Sequence, residues 1–342
     1  MGGIFMKVTF YGKTFQQFVK NCKNLASVCK TLPLQTGVFI TASDKIKLIV
    51  CNCDIQAECI LGGIVHEKGE LVIPNETLRI LEMIKSDSMW TLSDNTIACE
   101  SKEIKYSPYD SENYYQIADE VETNLFTVSE KELSRLLEVN YATGDDHWSN
   151  ICLRDNKFIA TDTVYVSIRK GDFNLTNSDN LLLPSPLWKQ LLKLIDKKSD
   201  DLIEVLWDEN NLIKFKFTDY SLIGRILRDQ FLDVETILER RTFTNITVKA
   251  DELIEPVALI AKLTDYTELS IDETSLKIRS KADGHVIIDE VSINNFYGEP
   301  IIIYVDAKYL LEVLKPYRKE NVTINFGTAL QPIRIGDTEI LM

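Results

Sequence analysis

Apolar positions recur at helical spacing in three places along the chain, each time directly after a short strand-like stretch. The first helical run covers residues 15–28 and follows the alternating stretch 7–11. The other two runs lie within residues 125–137 and 243–257. Apolar side chains three and four residues apart form one face of an amphipathic helix. The pattern therefore predicts three units that each open with a strand followed by a helix.

Each opening is followed by short alternating stretches, a second helix and closing hairpins. Ser129, with Glu132 three residues later, forms a capping box at the start of the second opening helix. Polar turn signals divide the strand-like stretches, which read as antiparallel hairpins. The strand-rich stretches are 37–60, 150–169 and 266–293, the second helices lie in 71–84, 181–195 and 301–314, and the closing hairpins are 89–106, 202–227 and 322–340.

The order strand, helix, strands, helix, strands thus occurs three times. A chain of 342 residues also exceeds what one hydrophobic core usually spans. Helices packed on one face of antiparallel sheet define an α+β arrangement. We predict three domains of this kind, at residues 1–120, 121–240 and 241–342, joined through the polar acidic stretches 107–124 and 233–242.

Composition and charge narrow the class of protein. Apolar residues make up 45% of the chain and no apolar run approaches the length of a membrane span, so we expect a soluble protein without a secretory signal. Seven cysteines, an odd number in a long chain, favour the reducing cytoplasm. A net charge of -14 argues against a protein that coats nucleic acid electrostatically. Any contact with DNA must therefore be local.

The sequence gives little support to an enzyme. His66, His147 and His285 stand singly, and we interpret them as solvated loop residues. Cys51 and Cys53 lie two apart in an apolar strand-like run, which favours buried thiols over a metal site. Glycine-rich phosphate-binding motifs do not occur. We therefore expect no catalytic residues, no metal and no cofactor.

The repeat resembles a known family when its order is combined with several local segments. These segments are Leu71-Val-Ile-Pro74, Phe158-Ile-Ala-Thr-Asp162, Arg225-Ile-Leu-Arg-Asp-Gln-Phe231 and Glu320-Asn-Val-Thr-Ile324. Over essentially its whole length the chain is similar to the bacterial sliding clamp, the beta subunit of DNA polymerase III. The resemblance implies that two copies pair head to tail into a ring of six domains with sheet outside and helices around the pore. It further implies a processivity factor that encircles duplex DNA and tethers the replicative polymerase.

The helix-like segments carry a net positive charge within an acidic chain, which fits a weakly basic pore lining. For each residue alone, a solvated helix face remains an equal interpretation. The candidate DNA-binding residues are Lys20, Lys23, Lys30, Arg79, Lys85, Arg135, Lys189, Lys193, Lys197, Lys198, Lys262, Lys308, Lys315 and Arg318.

The resemblance also implies an apolar pocket that accepts short peptides of the polymerase, the clamp loader and other replication or repair proteins. For its aliphatic members, ordinary core packing is the alternative. The pocket residues carried over are Trp148, Thr161, Val164, Tyr165, Val166, Leu232, Thr236, Ile237, Leu330, Pro332, Ile340 and Met342.

The chain departs from the family pattern in this pocket. The usual Thr-Asp-Gly-His-Arg reads Thr161-Asp-Thr-Val-Tyr165, and the usual proline after phenylalanine is Leu232. The sequence ends at Met342, where the family continues with a short tail. We therefore expect an altered peptide preference, and a clamp-like interaction scaffold that is not loaded on DNA remains the second hypothesis. The expected dimer edges lie near residues 97–106 and 275–288.

Overall fold

The computed structural model describes residues 6–26, 33–84, 87–117, 120–175, 180–238, 242–282, 284–328, 331–336 and 339–341. Four of the candidate site residues lie outside these ranges, namely Lys30, Lys85, Leu330 and Met342. The chain divides into two compact units. Unit 1 consists of residues 1–137 and 172–228, and unit 2 consists of residues 138–171 and 229–342.

The first opening helix begins directly after its strand, as its periodicity predicts. It buries Phe15, Phe18, Val19, Cys22 and Leu25 on one face. The second helix follows Pro74, whose fixed φ and missing N–H suit a helix start. In chain order the elements are β1 (Lys7–Tyr11), α1 (Gly12–Ala26), β2 (Val38–Ala42), β3 (Ile46–Cys51), β4 (Ile55–Leu61), β5 (Gly63–Glu67), β6 (Gly69–Ile73), α2 (Asn75–Glu82), β7 (Met89–Ser93), β8 (Thr96–Cys99) and β9 (Lys102–Lys105).

The second repeat has the same order. Its opening helix is capped as predicted, because the Glu132 amide donates to Ser129 Oγ at 3.2 Å. Pro184 precedes the next helix and Pro186 occupies its first turn. The elements are β10 (Thr123–Ser129), α3 (Glu130–Leu137), β11 (Ile151–Arg154), β12 (Lys157–Thr161), β13 (Tyr165–Lys170), β14 (Leu181–Leu183), α4 (Ser185–Leu194), β15 (Leu202–Trp207), β16 (Leu212–Lys216) and β17 (Tyr220–Arg225).

The third repeat follows a short helix in the stretch that the sequence marks as a joint. The elements are α5 (Val234–Leu238), β18 (Thr244–Lys249), α6 (Ala250–Ile260), β19 (Tyr266–Ile271), β20 (Ser275–Ala282), β21 (His285–Ser292), β22 (Asn295–Tyr297), β23 (Ile301–Asp306), α7 (Ala307–Leu314), β24 (Asn321–Phe326), β25 (Ile333–Ile335) and β26 (Glu339–Leu341). The order of elements predicted from periodicity therefore occurs three times.

Unit 1 contains two antiparallel sheets. One has the order β5-β1-β7-β8-β9, and the other has the order β10-β15-β16-β17-β4-β3-β2-β6. Strands β4 and β17 pair with Ala57 opposite Leu222, which joins the first two repeats in one continuous sheet. Helix α1 packs on β3 and β4, so its apolar face is covered by this sheet. The sheet and its helices thus form the α+β layers expected from the pattern.

Unit 2 repeats the arrangement. Eight of its strands follow the order β11-β12-β13-β26-β25-β24-β18-β22, and the other four follow β21-β20-β19-β23. Val166 on β13 lies opposite Ile340 on β26, so the second and third repeats also share a sheet. Helices α6 and α7 pack against each other, and α6 also contacts β18 to β21. The three domain ranges predicted from sequence stay a prediction, because sheet pairing links neighbouring repeats.

Some local expectations need correction. Cys51 is buried at the end of β3, but Cys53 lies beyond that strand, half-exposed, with φ of 78°. His66 and His285 are exposed within β5 and β21 rather than in loops. A strand-like apolar pattern did not locate the strand end at Cys51, because the chain turns sharply at Cys53.

The first predicted joint is also more ordered than a polar linker. Tyr114 and Ile117 within it are buried against the large sheet of unit 1, in a cluster with Phe39 and Ile223. Tyr114 Oη donates to the carbonyl of Ile49 at 3.3 Å. Scattered apolar residues in an acidic stretch thus anchor it to the sheet.

Candidate functional sites

Helices α1 and α4 lie side by side in unit 1. Gln190 Nε2 donates to the carbonyl oxygen of Asn21 at 3.0 Å, and it lies 3.6 Å from Cys22 Sγ. Burial raises the pKa of the Cys22 thiol above its usual range, so this thiol stays neutral between the helices. The apolar seam fixes the two helices and leaves their polar faces outward.

These polar faces carry exposed lysines. Lys20 on α1 and Lys193 on α4 are exposed, and so are Lys197 and Lys198 just after α4. Among the residues that the structure describes, none of the four has a carboxylate partner within 4 Å. Lys189 Nζ lies 5.1 Å from the centre of the Trp188 ring, a weak cation–π contact. Helices α1 and α4 of unit 1 therefore present a basic surface whose exposed lysines are not ion-paired with described carboxylates.

Two further candidates of unit 1 are ion-paired. Lys23 pairs with Glu82 of α2, and Arg135 binds Glu132 through two hydrogen bonds of 2.7 and 2.6 Å. Arg79 is exposed on α2, without an ion pair to any described residue.

The candidates of unit 2 are mostly neutralised by neighbours. Lys308 Nζ lies 2.6 Å from Asp265 Oδ1, and Arg318 Nε lies 3.7 Å from Asp251 Oδ1. Lys315 pairs with Glu312 one helical turn earlier. Hydrogen bonding to Asp265 raises the pKa of Lys308. The ammonium group therefore stays charged, and its charge is paired with the Asp265 carboxylate. Lys262 is exposed, with no ion pair among the described residues.

Unit 2 also contains a cleft of about 730 Å³, lined mainly by apolar side chains. It is bounded by β23, by α5 and by Gly327, Thr328, Gln331 and Pro332 between β24 and β25. Lining residues are Val164, Leu232, Asp233, Thr236, Ile237, Ile303, Tyr304, Val305, Asp306, Phe326, Gly327, Thr328, Gln331, Pro332, Ile333 and Leu341. Apolar walls with a few polar groups suit an extended peptide.

The structure brings five of the predicted pocket residues together in this cleft, namely Val164, Leu232, Thr236, Ile237 and Pro332. Others lie elsewhere. Thr161, Tyr165, Val166 and Ile340 are buried in β12, β13 and β26 and do not line the cleft. Trp148 packs in an aromatic cluster, with its ring 5.6 Å from that of Phe231 and 5.0 Å from that of His147.

The turn that departs from the family pattern is held rigidly. Asp162 Oδ1 accepts hydrogen bonds from the amides of Val164 and Tyr165, both at 2.9 Å. Thr163 has φ of 78°, in the left-handed region that a threonine seldom adopts. Thr161 Oγ donates to the Tyr165 carbonyl at 2.8 Å. The capped turn compensates for the strained backbone and aims Val164 into the cleft.

Tyr165 occupies the position where the family pattern has arginine, and its ring is buried. Its hydroxyl donates to the Tyr141 carbonyl at 2.5 Å, and its ring centre lies 5.6 Å from that of Tyr309. Burial raises the pKa of Tyr165, so the hydroxyl stays neutral. This position therefore supplies packing instead of a cation.

A buried ion pair secures β26, which forms one wall of the cleft. Arg169 Nη1 donates to Glu339 Oε1, and Ser167 Oγ donates to the same oxygen at 3.2 Å. Glu339 is opposite Ser167 in the β13–β26 ladder. The position of β26 thus depends on charged groups removed from water, which are costly unless paired.

Sequence reasoning missed β23 as a wall of the cleft, together with the lining residues Phe326, Gly327, Thr328, Gln331 and Ile333. The signal available was the alternation in Ile301–Asp306, which indicates a strand but not its neighbours. Asp306 was assigned no role, although it caps α7 by accepting from the Lys308 amide at 2.8 Å.

No helix in the described ranges is long and apolar enough to cross a membrane. Within the same ranges, no group of three His, Cys, Asp or Glu side chains is placed to hold a metal ion.

Comparison with solved structures defines the fold. The DNA polymerase sliding clamp of Bacillus subtilis aligns with a TM-score of 0.87 at 18% identity, over 98% of each chain. The DNA polymerase III subunit beta of Pseudomonas aeruginosa also gives a TM-score of 0.87, at 15% identity, over 98% of this chain and 99% of that one. The chain therefore has the α+β DNA clamp fold over its full length.

Sequence comparisons extend the likeness. A family model described as DNA polymerase III beta subunit, C-terminal domain, matches residues 236–340. The beta sliding clamp of Bacillus subtilis is 22% identical over 376 residues, covering 96% of this chain and 95% of the relative. That of Staphylococcus aureus is 21% identical, covering 88% of each.

The chain is thus similar to the beta sliding clamps as a divergent relative: residues 236–340 match the family model, and the chain has the clamp fold. Beta sliding clamps are non-catalytic processivity factors, which agrees with the expectation that the chain is not an enzyme. The similarity to these proteins implies a processivity role in DNA replication.

Proposed function

We propose that two copies of this chain form a ring around duplex DNA and hold a DNA polymerase on its template. The observation that carries the DNA part is the exposed lysine surface of α1 and α4 in a chain of net charge -14. A ring holds DNA by topology, so it needs only weak, sequence-independent phosphate contacts. A strongly basic surface would bind phosphates tightly and oppose sliding.

Two exposed apolar patches support a head-to-tail dimer. At the end of α2 in unit 1, Ile80 is 50% exposed and Met83, directly after the helix, is 82% exposed. Near the end of α6 in unit 2, Leu259 is 52% and Leu263 is 55% exposed. Solvation of such side chains is costly, so their burial against a second copy favours association.

Two sheet edges complete the proposed interface. Strand β9 ends one sheet of unit 1, and β21 ends one sheet of unit 2. Strand β9 carries Lys102 and Lys105, whereas β21 carries Asp289 and Glu290. Pairing these edges joins opposite charges and extends the sheet across the subunits. In such a dimer the surface of unit 1 in one copy contacts the surface of unit 2 in the other copy. Two such contacts close the two copies into a ring.

Sedimentation equilibrium of Met83→Glu and Leu263→Glu tests the dimer. We expect a dimeric wild type and a loss of association by at least about tenfold in each variant, since a buried carboxylate without a partner is costly. Leu202→Glu on β15, also exposed, is the control and is expected to remain dimeric. A wild type that is monomeric at micromolar concentration contradicts the ring.

We assign the cleft of unit 2 to short peptides of the polymerase and of the clamp loader. Primer extension on a singly primed circular template, with excess competitor template, tests the polymerase part. Ring-tethered polymerase is expected to give full-length products in a single binding event. Products no longer than those of polymerase alone, with the cognate loader present, contradict this assignment.

A further inference from the structure

The cleft contains an open sheet edge. Strand β23 pairs only with β19 in its sheet, and four of its consecutive residues, Ile303–Asp306, line the cleft. Among the described residues, no backbone hydrogen bond joins its outer edge to another strand. A strand in this situation is a template for a further strand.

The register shows which backbone groups point into the cleft. The Ala307 amide donates to the Asp265 carbonyl at 2.6 Å, and the two strands run antiparallel from there. Hydrogen-bonded pairs alternate along such a ladder. Val305 and Ile303 therefore bond to β19, whereas Tyr304 turns its N–H and C=O toward the outer edge. On the two faces of this strand, Val305 is buried and Tyr304 is 70% exposed.

The charged side chains among the described lining residues of the cleft are all acidic. Apart from the Tyr304 phenol, the ionisable groups among its described lining residues are Asp233 and Asp306. Asp306 Oδ1 is used in capping α7, which fixes this carboxylate at the end of β23. The family's arginine position holds buried Tyr165, so it offers no cation to an acidic ligand. Electrostatic complementarity therefore favours a basic partner.

We propose that the cleft binds an extended peptide that adds as a strand to the outer edge of β23 and carries a basic side chain toward Asp306. The proposal rests on the assignment of this cleft to partner peptides and deepens it. Alternate side chains of the peptide lie against apolar groups such as Leu232, Ile237 and Pro332. The backbone supplies hydrogen bonds to Tyr304, and the basic residue supplies selectivity.

Fluorescence anisotropy with two labelled heptapeptides, Gly-Leu-Lys-Leu-Lys-Leu-Gly and Gly-Leu-Glu-Leu-Glu-Leu-Gly, tests the charge preference. We expect the lysine peptide to bind at least about tenfold more tightly at low salt, with the difference shrinking as salt is added. Asp306→Asn should reduce the difference about threefold, because asparagine still caps α7. Asp251→Asn, which removes an equal charge on α6, is the matched control and should leave the difference unchanged.

The same lysine peptide, N-methylated on alternate amides in two registers, tests strand addition. One register should lose binding about tenfold or more and the other should retain it, since only one set of amides faces β23. Equal binding of both methylated forms overturns strand addition, and preference for the glutamate peptide overturns the charge assignment. Failure of every peptide to bind, with processive synthesis intact, overturns this inference while the proposed function stands. Loss of peptide binding as the protein self-associates assigns the edge to a second copy and also overturns it.

Discussion

The two surfaces assigned to DNA and to partner peptides differ in how their polar groups are held. On α1 and α4, Lys20, Lys193 and Lys197 are exposed and lack ion pairs with described residues. In the cleft of unit 2, the wall formed by β26 depends on Glu339 and Arg169, which are both buried. Residues on the first surface are therefore free to change without cost to the fold. The buried residues that hold the wall of the cleft contribute both to the stability of the fold and to peptide binding.

The largest effect is expected at the buried pair. Glu339→Gln should lower the free energy of unfolding by about 3–5 kcal/mol, because it leaves Arg169 charged and poorly paired away from water. Urea unfolding at fixed protein concentration measures the change, since association with a second copy alters apparent stability. Arg169→Met combined with Glu339→Leu should recover a large part of the loss. A decrease in the free energy of unfolding below about 1 kcal/mol in Glu339→Gln is typical of exposed ion pairs. It would contradict the proposed difference between the exposed lysine surface and the buried pair behind the cleft.

The next effect concerns the lysine surface. Lys189→Glu, Lys193→Glu and Lys197→Glu together should shorten the half-life of loaded protein on circular DNA about tenfold or more, because phosphates are then repelled. The melting temperature should not change, since these side chains are exposed. Lys45→Glu, Lys68→Glu and Lys216→Glu make the same charge change on turns and strands of unit 1 and serve as the control. Equal half-lives for the two triple variants would refute a role for the helices.

A smaller gain of function is expected in unit 2. Asp265→Asn and Glu312→Gln should release Lys308 and Lys315 and strengthen salt-dependent retention on DNA a few-fold. Retention measured across a salt series should give a steeper slope for this double variant. An unchanged slope would mean that these lysines do not approach phosphates.

The smallest effect lies outside both surfaces, at the turn between β19 and β20. Hydrogen bonds from Thr274 and Ser275 lower the pKa of Asp272 to about 2. The stability that this exposed carboxylate contributes is thus present above its ordinary pKa and is lost as the pH falls through about 2. Acid unfolding of wild type and Asp272→Asn should therefore converge between about pH 4 and pH 2. A stability difference that stays constant over this range would contradict the assigned hydrogen bonds.

Periodicity predicted the repeated elements because amphipathic spacing is a local property. The spacing of Phe15, Phe18 and Leu25 identifies a buried helix face, and Ser129 with Glu132 identifies a helix start, without knowledge of any neighbour. The clamp fold shown by the comparison with solved structures agrees with that order.

The candidate sites were harder to predict because they depend on contacts between distant segments. Lys308 on α7 was a candidate DNA-binding residue. Its ion-pair partner Asp265 lies before β19, and the pairing of β19 with β23 brings the two residues together. The same pairing leaves the outer edge of β23 open beside the cleft. Thr161 and Tyr165 were assigned to the pocket by resemblance, yet both are buried in β12 and β13 and do not line the cleft. The spacing of apolar residues within one segment does not determine its register with a distant strand.

Retention on DNA tests the central claim most directly. The chain is loaded with its cognate clamp loader onto nicked circular duplex DNA, washed in high salt, and assayed before and after the circle is cut at one site. Encirclement predicts retention on the circle at a salt concentration that abolishes ordinary phosphate contacts, and rapid loss after the cut. Failure to stay on the intact circle, or equal retention on circular and linear DNA, would contradict encirclement and favour a clamp-shaped interaction scaffold.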